Sequence, residues 1–243
     1  MATPSLSVAV LVYNEEETLE AAVRHVHEAL LEEELDFEVV IVDDGSEDTS
    51  AEIAARLADT LEGVRLVQHG RNRGPGSGIR TGIEECTKEV FTFFAADLQG
   101  NFVERLPHLA RLVGDADILV GQRSGASNPG PWRRLNSLVF VGAMQTLFGV
   151  PFGDFNFFYF FTKEVLAAVE PRSRSAFICP EIMVRALEMG FRVVPVMGRV
   201  HPRRAGRATV GRAGPVARFV GEMTSLWAER KAARALSFAR SVL

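Results

Sequence analysis

The chain has 243 residues, of which 47% are hydrophobic, and a formal net charge of -4. This apolar fraction is enough for a substantial core and excludes extended disorder, while the negative charge argues against a general nucleic-acid binder. Two cysteines are too few for a disulfide framework, so the sequence favours a reducing cytoplasmic setting.

The sequence has no pattern typical of an export signal or a membrane span. Its N-terminus lacks a basic segment followed by an apolar run and a small-residue cleavage site. The most apolar region, 137–161, is interrupted by Gln145, Pro151 and Asp154, so no uninterrupted stretch of about 20 apolar residues remains. We therefore expect no spanning helix.

The first half of the chain alternates short apolar runs with helical patterns. "LSVAVLVY" (6–13) predicts a strand, and apolar residues three or four apart then predict a helix through Leu19 to Leu30. Further strands are predicted at 37–44, 64–69, 89–94 and 116–121. Strands without alternation, joined by helices, indicate an α/β fold with a mostly parallel sheet covered on both faces.

Polar residues collect where the strands of this predicted sheet end. Ligands of such sheets bind at the carboxyl ends of the strands. Six residues lie just past a predicted strand end, namely Tyr13, Asn14, Asp43, Asp44, Asp97 and Gln99. We therefore expect them to be neighbours in one binding crevice.

Two of these acids end the strand in "VVIVDDGSEDTS". Asp43 or Asp44 can accept hydrogen bonds from base N–H or ribose hydroxyl groups, while Gly45 and Ser46 make the turn. Alternatively, the acids and serines cap the next helix. Capping needs only one such residue, and the motif offers several.

The glycine-rich segment 70–78, "GRNRGPGSG", is predicted to be a flexible loop that leads into a helix beginning near Ile79. Exposed N–H groups at a helix N-terminus favour anions. No Gly-Lys-Ser/Thr follows, and the glycine spacing is a poor dinucleotide fingerprint. A phosphate cradle and a plain loop both stay open.

"AADLQGN" supplies Asp97 and, two positions on, Gln99. Their oxygens are hard ligands suited to Mg²⁺ or Mn²⁺, and such an ion can also hold a diphosphate. The alternative is that Asp97 only caps the following helix. No histidine pair and no Ser/His/Asp set can be assigned from the sequence.

Arginines dominate the second half of the chain. Arg123, Arg133 and Arg134, with Ser137, can grip a second phosphate, because guanidinium matches phosphate oxygens in a bidentate way. A solvated loop is the alternative. Residues 199–212 add five arginines and no acid, which favours an anionic partner: phosphate, acidic lipid or the acid-rich first half of the same chain. A solvated face is the alternative.

Beyond residue 121 the alternation of strands and helices stops. The pattern predicts an apolar helix at 132–149 and an aromatic strand at 155–161, "FNFFYFF". A helix in "CPEIMVRALEMG", a strand in "FRVVPV" and a C-terminal helical region follow. No internal repeat or long linker divides the chain.

Eight motifs, taken in order, resemble the family 2 glycosyltransferases of GT-A fold, and most of all their dolichol-phosphate mannosyltransferase branch. They are "VLVYNEEETL", "VVIVDDGSEDTS", "NRGPGSGIRTGI", "FFAADLQGNF", "ADILVGQRSG", "WRRLNSLVF", "FGDFNFFYF" and "HPRRAGRATVG". The resemblance runs to about residue 212. It implies an inverting transfer of a hexose from a UDP- or GDP-sugar to a polyprenyl phosphate at the cytoplasmic face of the membrane.

The resemblance also implies roles for residues of the first half. Tyr13 and Glu15 match positions that line the nucleotide, and Asp44, with Asp43 beside it, matches the acid that reads the base. Asp97 and Gln99 match the positions that hold the diphosphate and its Mg²⁺ or Mn²⁺.

In the second half, Arg123, Arg133 and Ser137 match the positions that hold the acceptor phosphate, and Arg203 matches a late basic position that closes over the diphosphate. We accordingly divide the chain into one GT-A domain, 1–212, and a helical extension, 213–243. Within the domain, 1–121 is the nucleotide-sugar half and 122–212 the acceptor half.

Ala95 departs from the family pattern, because an acid is usual there. "LVYNE" also lacks the usual proline, and "DFNFFYF" lacks the usual glycine and basic residue. Two alternatives therefore stay open: a transferase with a soluble or protein hydroxyl acceptor, and a non-catalytic relative that binds nucleotide or membrane.

A polyprenyl phosphate acceptor accounts for two features of the sequence. A phosphate monoester is already a nucleophilic anion at neutral pH, so the absence of an obvious general base is expected. "LVFVGAMQTLFGV", beside Arg133 and Arg134, fits a helix in the membrane interface. The alternative is a core helix or an oligomer contact.

Overall fold

The computed structural model describes residues 4–96, 103–113, 116–124, 131–155, 157–199 and 213–241. The strands in these ranges are β1 (Leu6–Val12), β2 (Phe37–Asp43), β3 (Val64–Gln68), β4 (Val90–Ala95), β5 (Ile118–Ser124), β6 (Tyr159–Thr162) and β7 (Val193–Arg199). The α-helices are α1 (Leu19–Glu32), α2 (Ser50–Thr60), α3 (Pro75–Glu85), α4 (Leu106–Leu112), α5 (Pro131–Phe148), α6 (Lys163–Ala168), α7 (Ile178–Glu188) and α8 (Ala213–Ser241).

The strands form one sheet in the order β3-β2-β1-β4-β6-β5-β7. β1 pairs in parallel with β2 and β4, β2 with β3, and β5 with β7. β6 is antiparallel to both of its neighbours, β4 and β5. The prediction of a mostly parallel α/β sheet is therefore confirmed, with β6 as the exception.

Helices cover both faces of the sheet because successive strand side chains point to opposite sides. Val8 and Val10 of β1 belong to the buried cluster that includes Val23 of α1. Ala9, between them, belongs to the other cluster, which includes Ile79 of α3 and Ile182 of α7. These strands have a core on each side, which explains why their sequences are continuously apolar.

The glycine-rich segment is helical earlier than the sequence predicts, because α3 begins at Pro75 rather than near Ile79. Pro75 suits the first turn of a helix, where its missing N–H costs nothing. A Cβ on Gly76 would collide with the backbone of Arg174 and Ser175, and one on Gly82 would lie 2.8 Å from Cβ of Ala9. These two glycines allow close packing and do not mark a flexible loop.

The aromatic strand is shorter than predicted, since β6 covers Tyr159–Thr162 and not 155–161. Side-chain hydrogen bonds from Gln122 hold the backbone of Gly153 and Asp154 in a loop before the strand. β5 is also longer than predicted and ends at Ser124. The short helix α6, absent from the prediction, begins after Thr162, whose side chain accepts a hydrogen bond from the Val165 N–H.

The C-terminal helix α8 packs onto the second half of the fold. Its Glu222 accepts hydrogen bonds from the N–H groups of Arg174 (2.9 Å) and Ser175 (3.3 Å). The ring of Phe219 lies 4.8 Å from that of Phe140 in α5 and 5.1 Å from that of Phe177. Among the helices described, none combines the length and the hydropathy needed to cross a membrane.

Candidate functional site

The carboxyl ends of β1, β2 and β3 are joined by hydrogen bonds at one edge of the sheet. The N–H of Asp44 donates to the carbonyl of Val12 (2.8 Å). The N–H of His69 donates to the carbonyl of Asp43 (2.9 Å). The segments that follow these three strands therefore start side by side, as expected for the ligand edge of a parallel sheet.

The structure brings together the described members of the predicted crevice. These are Tyr13, Asn14, Glu15, Asp43 and Asp44, all within two or three residues of the ends of β1 and β2. Asp97 and Gln99 lie outside the described residues. The described residues are therefore those for which the resemblance implies a nucleotide-binding role, and that role stays a prediction.

Hydrogen bonds clasp the loop after β1 to the loop after β2. Asn14 has a positive φ of 54°, its N–H donates to Oγ of Ser46 (3.0 Å), and its Oδ1 accepts from the N–H of Glu47 (2.8 Å). The N–H of Glu15 donates to Oγ of Ser50 (2.9 Å). Asn tolerates a left-handed backbone better than most residues, so the sequence at Asn14 suits this clasp.

Asp43 is buried at the end of β2 and shapes the turn that follows. Its Oδ1 accepts from both the N–H (3.0 Å) and the Oγ (2.6 Å) of Ser46. Gly45, between them, has φ 74°, and a Cβ there would lie 2.6 Å from the carbonyl carbon of Arg71. The turn therefore requires glycine for both its conformation and its contact with the next loop.

Asp44 is buried and accepts hydrogen bonds from both ends of the loop 69–74. Nδ1 of His69 lies 2.7 Å from Oδ1. The N–H of Arg73 donates to Oδ1 (2.9 Å) and that of Gly74 donates to Oδ2 (2.7 Å). Asp44 thus fixes the loop between β3 and α3, and the capping alternative considered for the two acids does not describe its contacts.

His69 connects Asp44 to α3. Its Nε2 lies 2.9 Å from Oγ1 of the half-buried Thr81, so a chain Asp44–His69–Thr81 joins the ends of β2 and β3 to α3. Sequence reasoning assigned no role to His69 or Thr81. The available signal was the position of His69 directly after the end of β3, at the same edge as the two acids.

These segments enclose an open pocket of about 530 Å³. Asp43 and residues 45–47 form one wall, and residues 68–72, which include Arg71 and Asn72, form the facing wall. A pocket of this size can hold a nucleotide or a small molecule. Its lining offers a carboxylate, an amide and a guanidinium for hydrogen bonding.

A second polar group lies at the end of β5. Nε of Arg123 is 3.0 Å from Oδ2 of Asp154, and the guanidinium is 5.9 Å from the ring centre of Phe157. Oε1 of Gln122 accepts from the N–H groups of Gly153 (2.9 Å) and Asp154 (3.0 Å). No spacing pattern in the sequence predicts this arrangement, because the partners are about 30 residues apart.

The remaining residues predicted for phosphate binding are only partly described. Arg133 lies in α5, but its side chain is outside the described residues, as is the whole of Arg203. Arg134 and Ser137, also in α5, are exposed. Of Arg123, Arg133, Ser137 and Arg203, the structure describes the side chains of Arg123, at the end of β5, and Ser137, in α5.

Two buried ionisable groups of the second half are occupied by structural contacts. Tyr159 donates its hydroxyl to the carbonyl of Phe155 (2.7 Å), and burial raises its pKa well above the usual value. Burial would also raise the pKa of Glu181, but hydrogen bonds from Ser173, Arg172 and Arg185 outweigh it and lower that pKa. Both groups thus hold backbone segments of the second half in place.

β4 delivers Ala95, which is exposed and carries no ligand atom, to the same edge of the sheet. Within the part of the chain that the structure describes, no group of three or more His, Cys, Asp or Glu side chains could hold a metal ion. The carboxylate of Asp97 and the amide of Gln99 have the oxygen chemistry that Mg²⁺ and Mn²⁺ prefer, and both follow Ala95 outside the described residues.

Comparison with known sequences gives a consistent assignment. The model of the family described as "Glycosyl transferase family 2" matches residues 7–170. The undecaprenyl-phosphate 4-deoxy-4-formamido-L-arabinose transferase of Pseudomonas syringae pv. syringae is 32% identical over 177 residues, 71% of this chain and 52% of that one. The Pseudomonas aeruginosa protein of the same name is 34% identical over 177 residues, with the same coverage. The chain spans about half the length of these relatives.

Solved structures share the fold. Glucosyl-3-phosphoglycerate synthase from Mycobacterium tuberculosis, crystallised with Mn²⁺, UDP-glucose and phosphoglyceric acid, gives a TM-score of 0.71 at 17% identity. The match covers 93% of this chain and 80% of that one. The same enzyme with UDP gives 0.69 at 16% identity with the same coverage. At this level of identity the likeness establishes the fold alone.

Proposed function

The chain belongs to glycosyl transferase family 2, and from this membership we propose that it transfers a hexose from a nucleoside-diphosphate sugar to a polyprenyl phosphate. The observation that carries the proposal is the 32% and 34% identity to two proteins named as undecaprenyl-phosphate transferases. The pocket at the ends of β2 and β3 supports the donor side of the proposal, and Arg123 supports the acceptor side.

On the donor side, the pocket of about 530 Å³ accommodates the nucleoside. Asp43 contributes a buried carboxylate to one wall, suited to accept N–H groups of a base. Asp44 orders the facing wall through Arg73 and Gly74. Tyr13, Asn14 and Glu15 complete the proposed nucleotide site.

On the acceptor side, Arg123 is the proposed ligand of the lipid phosphate, together with Arg133 and Ser137 of α5. A phosphate monoester carries about -1.5 to -2 charges at neutral pH, against one for the carboxylate of Asp154. A phosphate that approaches Arg123 therefore competes well with the observed ion pair to Asp154. Gln122 keeps the loop at Asp154 in place independently of that ion pair.

The chemistry needs no general base. An oxygen of the acceptor phosphate attacks the anomeric carbon in line, and the bond from that carbon to the donor diphosphate breaks, with inversion of configuration. The electron pair leaves with the nucleoside diphosphate, whose charge Arg203 is proposed to stabilise. Asp97 and Gln99 would hold Mg²⁺ or Mn²⁺, and that ion would neutralise charge on the leaving diphosphate.

We also propose that the protein lies peripherally on the cytoplasmic face of the membrane. The inner face of α5 is core, with Met144 and Phe148 buried, while Leu135 (48%), Leu138 (62%) and Val139 (64%) are exposed on its outer face. These three residues, hereafter the α5 ridge, suit insertion among lipid headgroups. The exposed Arg134 beside them suits an anionic leaflet.

The test is release of nucleoside diphosphate by the purified protein in vesicles that contain either undecaprenyl phosphate or the neutral alcohol undecaprenol. We expect release from one UDP- or GDP-hexose, with Mg²⁺ or Mn²⁺, and only when the phosphate is present. Release with the alcohol, or with a soluble hydroxyl acceptor and no lipid, would favour the alternative acceptor class.

Ala95 is the observation that favours a second candidate, a relative that binds nucleotide without turnover. The exposed end of β4 carries a methyl group where the family usually carries an acid. This candidate predicts a thermal shift with UDP or GDP that does not depend on metal, and no release with any donor. A restoring variant, Ala95→Asp, would then gain metal dependence.

A further inference from the structure

We infer that His69 is a positioning residue for the nucleotide pocket, held with a proton on Nδ1 between Thr81 and Asp44 so that the β3–α3 loop forms a fixed wall. This inference rests on the proposed function, because it takes the pocket as the nucleotide site. It adds to that function two residues, His69 and Thr81, that the family motifs do not single out in this sequence.

The loop 69–74 connects β3 to α3. Residues 68–72, His69 among them, line the pocket, and the loop 69–74 is bonded at both ends to one carboxylate, that of Asp44. At one end His69 reaches Oδ1 of Asp44, and at the other the N–H groups of Arg73 and Gly74 reach Oδ1 and Oδ2. The orientation of the Asp44 carboxylate therefore determines the shape of this wall.

The hydrogen bonds to Asp44 determine which ring nitrogen of His69 carries a proton. Two backbone N–H groups donate to Asp44, which fits an ionised carboxylate that only accepts hydrogen bonds. Nδ1 of His69, 2.7 Å from Oδ1, must then carry a proton. In the neutral ring Nε2 is an acceptor, so the hydroxyl of Thr81, 2.9 Å away, donates to it.

His69 and Asp44 are both buried. His69 is 8% exposed and Asp44 6%, so their hydrogen bonds have little competition from water. Removing the imidazole nitrogens would leave Asp44 one donor short and Thr81 without this acceptor. The loss would fall on the loop 69–74, and the pocket wall would no longer be held in one conformation before the nucleotide arrives.

The test combines binding and NMR measurements on the full chain, with UDP and GDP as probes in the presence of Mg²⁺. His69→Phe keeps a ring of similar size and removes both nitrogens. His27→Phe is the matched control: His27 is also buried, and its Nε2 bonds to the carbonyl of Glu62, at the far end of the sheet from the pocket. Thermal unfolding measures the loss of stability in both variants.

We expect His69→Phe to weaken binding of the preferred nucleotide about tenfold, the size of a lost hydrogen bond to a charged group. His27→Phe should change binding by less than about twofold, because the bond of His27 to Glu62 lies at the amino end of β3, away from the pocket. The turnover number at saturating donor should be retained in His27→Phe. Binding by a folded His69→Phe protein within the range of the control would overturn the inference.

A milder pair of variants covers the case in which His69→Phe does not fold. Thr81→Val removes the hydroxyl at constant shape, whereas Thr81→Ser keeps it. We expect weaker nucleotide binding for Thr81→Val and near wild-type binding for Thr81→Ser. Equal binding by the two proteins would contradict the role of the chain.

Side-chain ¹H–¹⁵N spectra test the tautomer of His69 directly. The resonances of His69, assigned by their loss in His69→Phe, should show a protonated Nδ1. A proton on Nε2 alone would break the bond to Asp44 and overturn the inference. If wild-type protein shows the Nδ1 proton but binds neither UDP nor GDP, the proposed donor site itself is contradicted, and the positioning role falls with it.

Discussion

The proposed donor edge, at the ends of β1 to β3, and the proposed acceptor edge, at the end of β5, hold their charged side chains in different ways. At the donor edge, Asp43 and Asp44 are buried and bonded to backbone N–H groups, hydroxyls and one imidazole. At the acceptor edge, Arg123 is partly exposed and paired with another charged side chain, Asp154. The proposed nucleotide would meet side chains that are already held by hydrogen bonds. The proposed lipid phosphate would have to replace Asp154 as the partner of Arg123.

This difference suits the two proposed ligands. A nucleoside has a fixed pattern of donors and acceptors, which a preorganised pocket recognises at low entropic cost. A lipid phosphate presents mainly negative charge. Arg123 can bind it because its partner, the carboxylate of Asp154, carries less charge than a phosphate monoester. The comparison is tested most directly by substituting a residue at one edge and measuring ligand binding at the other.

The largest effect is expected for Arg123→Ala. The turnover efficiency for undecaprenyl phosphate should fall about 100-fold, since charge-assisted hydrogen bonds to phosphate are lost. The affinity for UDP or GDP should stay unchanged, because Arg123 belongs to the other edge. Steady-state kinetics with varied lipid phosphate checks the first statement, and calorimetry with nucleotide the second.

Arg111→Ala is the control for this experiment. Arg111 also takes part in an exposed ion pair, with Glu33, but on α4 and away from both edges. Its variant should retain wild-type kinetics. A loss of nucleotide affinity in Arg123→Ala as large as the loss of lipid use would end the separation of the two edges.

Asp43→Asn tests the donor edge in the opposite sense. The charged acceptor in the pocket wall becomes a neutral amide, so the dissociation constant for the preferred nucleotide should rise about tenfold. The Michaelis constant for undecaprenyl phosphate should not change. Asp36→Asn, which affects an ion pair with Lys88 at the amino end of β2, is the matched control and should bind nucleotide normally.

Leu138→Asp tests whether the α5 ridge, on the proposed acceptor side, binds the membrane. Placing a charge on a residue that inserts among headgroups should reduce binding to vesicles with anionic lipid about fivefold. Co-sedimentation measures this directly, and nucleotide affinity should stay as in the wild type. Leu31→Asp, on the exposed side of α1, is the control, since Leu31 is 53% exposed and outside the ridge. Equal vesicle binding by both variants would argue for an oligomer contact at α5.

The smallest expected effect concerns the joint between the two halves. Gly76 and Arg80 of α3 contact the loop 171–175, whose N–H groups at Arg172 and Ser173 donate to Glu181. Glu181→Gln should lower the free energy of unfolding at pH 7 by about 1 kcal/mol, through weaker hydrogen bonds to a neutral amide.

The pH dependence of this effect has a defined sign. The pKa of Glu181 is lowered from its ordinary value of 4.5, so its stabilisation is present above that value and is lost as pH falls through the lowered pKa. The difference in unfolding free energy between wild type and Glu181→Gln should therefore shrink below pH 4.5. A difference that is constant down to pH 3, measured by denaturant titration, would contradict the role of the ionised carboxylate.

The two edges also differ in how far the sequence predicts them. β1 to β4 and the helices between them follow from uninterrupted apolar runs and helical spacing, and the acids at the strand ends follow from the parallel topology. Contacts between distant segments do not follow. Two such contacts are those of Asp44 with His69 and Thr81, and of Arg123 with Asp154. They depend on how whole helices and strands are placed in space, which a single sequence does not reveal.

Local rules also gave wrong boundaries where packing overrides propensity. Gly76 and Gly78 predict a loop on composition, yet both lie in α3, where their small size admits neighbouring atoms. The aromatic run before Tyr159 predicts a strand, yet β6 begins only at Tyr159, after a loop in which Gly153 is hydrogen-bonded to Gln122. Both errors occur at contacts between segments more than 30 residues apart, which hydrophobic patterns do not report.

The central claim is that the chain joins a hexose to a polyprenyl phosphate. Purified protein, vesicles that contain undecaprenyl phosphate, Mg²⁺ or Mn²⁺, and labelled UDP- and GDP-hexoses should yield a chloroform-soluble product. Mass spectrometry should identify that product as a polyprenyl phosphate carrying one hexose, with the anomeric configuration opposite to that of the donor. The absence of such a product with every common donor, from protein that is folded and binds nucleotide, would contradict the claim.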